Sequence, residues 1–259
     1  MPTSTPPPQT LSGRVALVTG AGGGIGRAAA LLFACHGARV AAADVDGDAA
    51  EAVAREIRKA GGEARGIRAD VSVSAQAREM VEAAVAAWGR LDCAYNNAGI
   101  ASPAHPVAEM PDELWQRSID VMLTGVFLCM KYEIPRILAS GGGAIVNCAS
   151  GAGLIGFPGQ SGYVAAKHGV IGLTKAAALE YGAKGVRINA ICPGTARTPM
   201  VEQVIRERPE LDAELVRLHP IGRIAEPAEI AEAALWLCSE GASFVNGAAL
   251  SVDGGYVAQ

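Results

Sequence analysis

Short apolar runs rich in β-branched residues alternate with longer stretches in which Ala and Leu recur at helical spacing, and the alternation continues along most of the chain. RVALVTG (14–20) is followed by IGRAAALLFACHG (25–37), which reads as a strand ending in glycine and then a helix. RVAAAD (39–44) predicts a second strand and residues 48–60 a second helix. EARGIRAD, a helix over 75–88, LDCAYNNAG, a long helical region over 111–138 and GAIVNCAS continue the pattern. A helix carrying Tyr163 and a strand at VRINAIC complete it. Repeated strand–helix units of this size predict a mostly parallel sheet with helices on both faces, an α/β architecture. After Cys192 the pattern loosens into polar, Pro-containing sequence, and a segment of that kind beside the sheet's C-terminal edge suits a substrate lid, assigned to residues 193–226.

Composition narrows the picture to one domain with small-molecule chemistry. A chain of 259 residues, 50% hydrophobic and 19% charged, can build a single large core, assigned to 11–259 behind a disordered Pro-rich leader over 1–10. The net charge of -4 leaves no basic footprint for nucleic acid. No apolar run approaches the roughly 18 residues of a membrane span, and MPTSTPPPQT has neither the basic nor the apolar region of a signal peptide. The six cysteines are scattered with no CxxC pair, so reduced thiols and a cytoplasmic setting are expected. His105 and His219 have no second ligand at metal-binding spacing, and no metal is expected.

The candidate chemistry sits at SGAGLIGFPGQSGYVAAK (150–167). Lys167 follows Tyr163 by four residues in a helical stretch, so both side chains project from one face. An ammonium roughly 5 Å from a phenol, at an effective dielectric near 20, favours phenolate by roughly 3 kcal/mol, enough to make the phenol a usable acid or base. Ser150 ends an apolar strand, where α/β sheets place their ligands, and could hold a substrate oxygen against Tyr163. On its own the Tyr–Lys pair would be an ordinary surface feature; a cofactor loop gives it context. The turn Thr19-Gly-Ala-Gly-Gly-Gly-Ile-Gly26 departs from G-x-G-x-x-G and matches T-G-x-x-x-G-x-G. Its glycines let backbone approach a pyrophosphate, which the free amides of the next helix would bind. Asp44 ends the second strand about 20 residues beyond, where a carboxylate would bond the ribose hydroxyls and repel a 2′-phosphate. Arg27, the nearest basic candidate for such a phosphate, lies inside the helix.

Taken together, these motifs resemble the short-chain dehydrogenase/reductase family from Leu11 to the C-terminus. Thr19 to Gly26 is similar to its cofactor loop, Asn96-Asn97-Ala98-Gly99 to its NNAG motif, and Ser150 with Tyr163-x-x-x-Lys167 to its catalytic group. Pro193-Gly194 with Thr198 is similar to its PG motif, Asp70-Val71 to its adenine-contacting pair, and ALSVDGGYVAQ to its last strand. The resemblance implies a single Rossmann-type, doubly wound domain with a seven-stranded sheet, assembled as a homotetramer. It further implies a hydride exchanged between NAD and a secondary alcohol or ketone, with Tyr163 as acid/base, Lys167 assisting it and Ser150 orienting the substrate oxygen. The implied cofactor contacts are Gly20, Gly24, Ile25, Gly26, Asp44, Asp70, Val71, Asn97, Gly99, Tyr163, Lys167, Pro193, Gly194, Ala196 and Thr198. Leu154, Ile155, Phe157 and Met200 are expected in the substrate pocket. One position departs: where the family has an asparagine associated with a break in the long helix, this chain has Met122. Met favours a regular turn, so slow turnover is expected, and a cofactor-binding protein with weak or no turnover is the alternative. An epimerase or dehydratase on the same fold fits less well, given the loop spacing.

Overall fold

In the computed structural model, which describes residues 10–101 and 103–258, each apolar run becomes a strand of one sheet. The strands are β1 (Val15–Thr19), β2 (Arg39–Asp44), β3 (Ala64–Arg68), β4 (Cys93–Asn96), β5 (Gly143–Cys148), β6 (Val186–Pro193) and β7 (Ala249–Val252). Their order is β3-β2-β1-β4-β5-β6-β7 and every neighbouring pair is parallel. Parallel strands need long crossovers, and helices supply them: α1 (Gly24–Cys35), α2 (Gly47–Lys59), α3 (Ser74–Trp88), α4 (Asp112–Ile119), α5 (Gly125–Ala139), α6 (Ser161–Tyr181) and α9 (Pro227–Cys238). Two further helices, α7 (Pro199–Glu207) and α8 (Glu210–Arg217), lie between β6 and α9.

Alternate residues of each strand face opposite layers, so the core is double. Ala16 and Val18 of β1 join Phe33 and Ile57 in one cluster, while Val15 and Leu17 join Met80 and Ile137 in the other. Because β1 pairs with both β2 and β4, the crossover direction reverses beside it, and a crevice opens at the strands' C-terminal ends. Thr19, Asp44, Asn96, Cys148 and Pro193 all end strands. The leader assigned to residues 1–10 lies outside the described residues except for Thr10, whose hydroxyl meets His36 Nδ1 at 2.9 Å.

The long helical region departs from expectation. Instead of a regular helix over 111–138, α4 and α5 are joined by a π-helical turn, Asp120–Thr124, in which the Gly125 amide reaches back five residues to the Asp120 carbonyl. Met122 sits inside this turn, so the expected regular turn at that residue is not formed. Packing on both flanks accounts for the outcome. A Cβ on Gly125 would stand 2.8 Å from Val71 Cγ2, and one on Gly169 of α6 would stand 2.8 Å from Leu123 Cδ2. The turn is held by close approach at two glycines, which outweighs the helix propensity of Met122. The apolar run VMLTGVFLCM (121–130) is largely covered within the chain, where Met122, Val126, Leu128, Cys129 and Met130 are buried and Phe127 is exposed.

Candidate active site

The glycine loop is shaped by what has no room for a side chain. Gly20 and Gly24 have φ of 64° and 50°, a region that disfavours other residues. A Cβ on Gly26 would overlap the Gly20 carbonyl oxygen, so α1 begins in direct contact with the loop. No acidic side chain occupies the first turn of α1, and its leading amides have no helical acceptor. Asn97 fixes the loop from β4: its Nδ2 donates to the carbonyls of Thr19 (3.1 Å) and Gly20 (3.3 Å), and its own amide donates to Thr19 Oγ1 (3.0 Å). Asp44 braces the other side by accepting from the Gly22 amide at 2.8 Å and the Asp46 amide at 3.0 Å. Arg27 forms an ion pair with Glu56 at 2.5 Å.

The chemistry is assembled where β5 meets α6. Ser150 caps the short turn Gly151–Gly153, its Oγ accepting from the Ala152 amide at 3.1 Å. A Cβ on Gly153 would stand 2.8 Å from the Lys167 carbonyl, so this turn lies directly on α6. Lys167 is buried and donates from Nζ to the Cys148 carbonyl at 2.7 Å, with the same Nζ 5.6 Å from the centre of the Tyr163 ring. The carbonyl that ends β5 therefore aims the lysine, and the lysine lies under the phenol.

These groups share one cleft of about 640 Å³. Gly20, Gly24, Ile25, Asp44, Asn97 and Gly99 line it together with Ser150, Tyr163 and Lys167 and with Pro193, Gly194, Ala196 and Thr198. Gly26, Asp70 and Val71 are not in the lining. Gly26 lies beneath the loop, Val71 packs on Gly125, and the Asp70 carboxylate accepts from the amide and hydroxyl of Ser72. The segment over 193–226 covers the cleft, with Met200 and Val201 of α7 and Leu215 and Leu218 at α8 in the lining. Neither helix has a fully buried residue. Thr198 caps α7 and lies against Gly24, where a Cβ would stand 3.1 Å from its methyl group, so the lid begins on the glycine loop.

A model described as Enoyl-(Acyl carrier protein) reductase matches residues 20–257. The chain belongs to the short-chain dehydrogenase/reductase family. It is 49% identical to a "Cyclohexanol dehydrogenase" of Acinetobacter sp. (strain SE19) over 95% of this chain and 96% of that protein. Its fold matches a crystal structure of levodione reductase with a TM-score of 0.91 at 38% identity, covering 96% of this chain and 99% of the other. It also matches 3-ketoacyl-(acyl-carrier-protein) reductase from Brucella melitensis complexed with NADH, with a TM-score of 0.88 at 36% identity over 95% and 99% of the two chains.

Within this dehydrogenase framework the substrate end of the cleft differs from expectation. Phe157 and Met200 line it as expected, but Leu154 and Ile155 do not, because the Gly151–Gly153 turn carries the chain outward and leaves Leu154 39% exposed. Gln160, Leu218 and Tyr256 are lining residues that sequence reasoning missed. Tyr256 reaches the site from beyond β7. A Cβ on Gly151 would stand 3.2 Å from Tyr256 Cδ1, placing the ring beside the residue that follows Ser150, and its edge meets Phe157 with centroids 6.4 Å apart. The DGGY sequence was a usable signal only for the end of the last strand. Among the described residues no cluster of His, Cys, Asp or Glu could hold a metal.

Proposed function

We propose that this cleft oxidises a secondary alcohol to a ketone, or runs the reverse, with NAD as partner, Tyr163 as acid/base, and Ser150 and Lys167 assisting it. The observation that carries this reading is that Ser150, Tyr163 and a buried Lys167 aimed by the Cys148 carbonyl line the same cleft as the glycine loop. The residues present fit the dinucleotide. Gly20, Gly24 and Gly26 leave a cradle that any Cβ would fill, the α1 amides offer donors to a pyrophosphate, and Asp44 offers an acceptor to ribose hydroxyls. Asn97 and Gly99 would border its middle, and Pro193, Gly194, Ala196 and Thr198 its nicotinamide end, with Ile25 following the pyrophosphate; Asp70 and Val71 remain the assignment for the adenine side. NAD, when bound, supplies the acceptor for hydride from the carbinol carbon.

In alcohol oxidation Ser150 Oγ and the Tyr163 phenolate, which the Lys167 ammonium beneath the ring stabilises, hold the substrate hydroxyl between them. Tyr163 takes the hydroxyl proton and becomes the neutral phenol as the carbinol C–H bond breaks. In reduction Tyr163 returns the proton to the carbonyl oxygen. Phe157, Met200, Leu215, Leu218 and Tyr256 give an apolar surround that favours a compact, cyclic substrate, in keeping with the cyclohexanol dehydrogenase relative. The segment over 193–226 acts as the lid that excludes water.

Asp44 favours NAD over NADP, and the Arg27–Glu56 pair supports this because it engages the nearest cation the sequence offers. The protein acts as a cytoplasmic homotetramer on this reading, supported by six free cysteines and by strongly exposed Leu179 (86%) and Phe244 (103%). Purified protein with NAD and a panel of cyclic and acyclic secondary alcohols tests the activity, read as NADH formation. Turnover of primary alcohols alone, or none with any alcohol or ketone, overturns it. A monomeric mass by light scattering overturns the assembly.

A further inference from the structure

His219 does not line the cleft, yet the residues that its ring bonds to or stacks on all do. It follows α8, is 4% exposed, and places Nδ1 2.7 Å from the Leu215 carbonyl. The Thr195 amide donates to its Nε2 at 3.0 Å, and its ring stacks on Tyr256 with centroids 5.3 Å apart and planes 25° apart. Thr195, Leu215 and Tyr256 belong respectively to the loop after β6, the lid helix and the C-terminal segment, and all three line the cleft. A carbonyl can only accept and an amide can only donate. The imidazole must therefore carry its single proton on Nδ1 and be uncharged. The neighbouring residue 194 is glycine, where a Cβ would stand 2.6 Å from Nε2, so the ring is pressed against the loop.

We infer that His219 is a positioning residue that latches the lid: its neutral Nδ1–H imidazole ties α8 to the Pro193–Thr195 loop and holds the Tyr256 ring against the substrate space. The inference rests on the dehydrogenase reading given above and extends it to how the cleft is closed. Three chain segments that are far apart in sequence meet on this one ring. Loss of the ring's acceptor leaves the part-buried Thr195 amide unpaired, and loss of its donor loosens the C-terminal end of α8, which the Arg197–Asp212 pair then holds from its other end. Both effects weaken the closed cleft before chemistry begins, so they act on binding of cofactor and alcohol more than on the chemical step.

The test uses the wild-type chain, His219→Phe and His219→Gln. Phe keeps the ring on Tyr256 and removes both hydrogen bonds; Gln restores an acceptor near the position of Nε2. His219→Phe is expected to raise KM for NAD and the dissociation constant for NADH about tenfold while kcat changes less than about threefold, and His219→Gln is expected to recover most of that loss. Binding is read by NADH fluorescence titration, independently of turnover, and thermal melting checks that each variant folds. Nitrogen NMR of histidine-labelled wild-type protein reads the tautomer directly. An Nε2–H or doubly protonated ring at neutral pH overturns the inference, as do unchanged binding in His219→Phe or equal losses in both variants, which would make His219 a packing residue. Wild-type protein that binds no NADH would sink the dehydrogenase reading itself, and the latch with it.

Discussion

Glu133 lies on α5 with no exposed surface, facing β4 and β5. Its Oε2 accepts from Asn96 Nδ2 at 3.0 Å, while its Oε1 and Asn96 Oδ1 are both buried without a hydrogen-bond partner. Burial pushes the carboxyl from 4.5 up to about 8, against the opposing pull of the Asn96 hydrogen bond. Glu133 is therefore a neutral acid at pH 7, and its proton makes Oε1 a donor in a cluster that also holds an unpaired acceptor. Below pH 4.5 both folded and unfolded chains carry this proton. Between 4.5 and about 8 only the unfolded chain releases it, so the folded state binds more protons and stability falls as pH rises, the loss being complete above about 8. The interval of about 3.5 units, at 1.36 kcal/mol each, sets an upper bound of about 5 kcal/mol, and relaxation around the carboxylate lowers the expected loss to about 3 kcal/mol. Glu133→Gln removes the titration, keeps an acceptor for Asn96 Nδ2 and keeps a donor at the other terminal atom at every pH. Urea unfolding followed by tryptophan fluorescence should give similar stabilities for the two proteins at about pH 5 and a Gln advantage of about 3 kcal/mol at about pH 9. A variant no more stable than wild type at the alkaline end would refute the reasoning, because it would mean that Glu133 ionises in the folded protein without cost.

Tyr163→Phe removes one oxygen from the cleft, so NADH binding should survive while kcat falls about 100-fold or more; near-normal turnover would show that another group carries the proton. Asp44→Ala loses both the carboxylate that disfavours a 2′-phosphate and the acceptor for the Gly22 amide. The ratio of kcat/KM for NAD over NADP should fall about tenfold or more, and an unchanged ratio would remove Asp44 from cofactor choice. Met122→Asn should change kcat by less than about threefold, since the π turn already exists with methionine in place; a tenfold rise would restore the expectation that methionine at 122 slows turnover.

What the sequence made legible was whatever is encoded within one strand–turn–helix unit. The apolar runs placed six of the seven strands, because a strand buried on both faces is largely apolar, and the family resemblance supplied the last one at ALSVDGGYVAQ. The glycine loop, Asp44, Asn97, Ser150 and the Tyr163–Lys167 pair were readable because each ends a strand or opens a helix, and the parallel sheet brings those ends to one edge. Leu215, His219 and Tyr256 were not readable in the same way. Neither lid helix buries a residue completely, and the contacts of His219 with Thr195 and Tyr256 that set the lid against the cleft join segments separated by 24 positions or more. Leu154 and Ile155 failed for a local reason: a three-residue turn pressed on α6 through Gly153 reverses the direction that an extended chain would have taken.

Met122 shows how a local rule can be right about a residue and wrong about the structure. A methionine does favour a regular helix, by a few tenths of a kcal/mol over asparagine. Against that stands the packing of Val71 on Gly125 and of Leu123 on Gly169, each at a distance where no Cβ would fit. Burying an aliphatic side chain is worth about 1.5–3 kcal/mol, so two such contacts outweigh the propensity of one residue several-fold. The five-residue bond from the Gly125 amide to the Asp120 carbonyl forms with methionine at 122, so the π turn is a property of the packed backbone. What methionine alters is the floor of the cleft, where its side chain lies below Gly99, and the consequence of that substitution belongs with substrate shape before proton transfer.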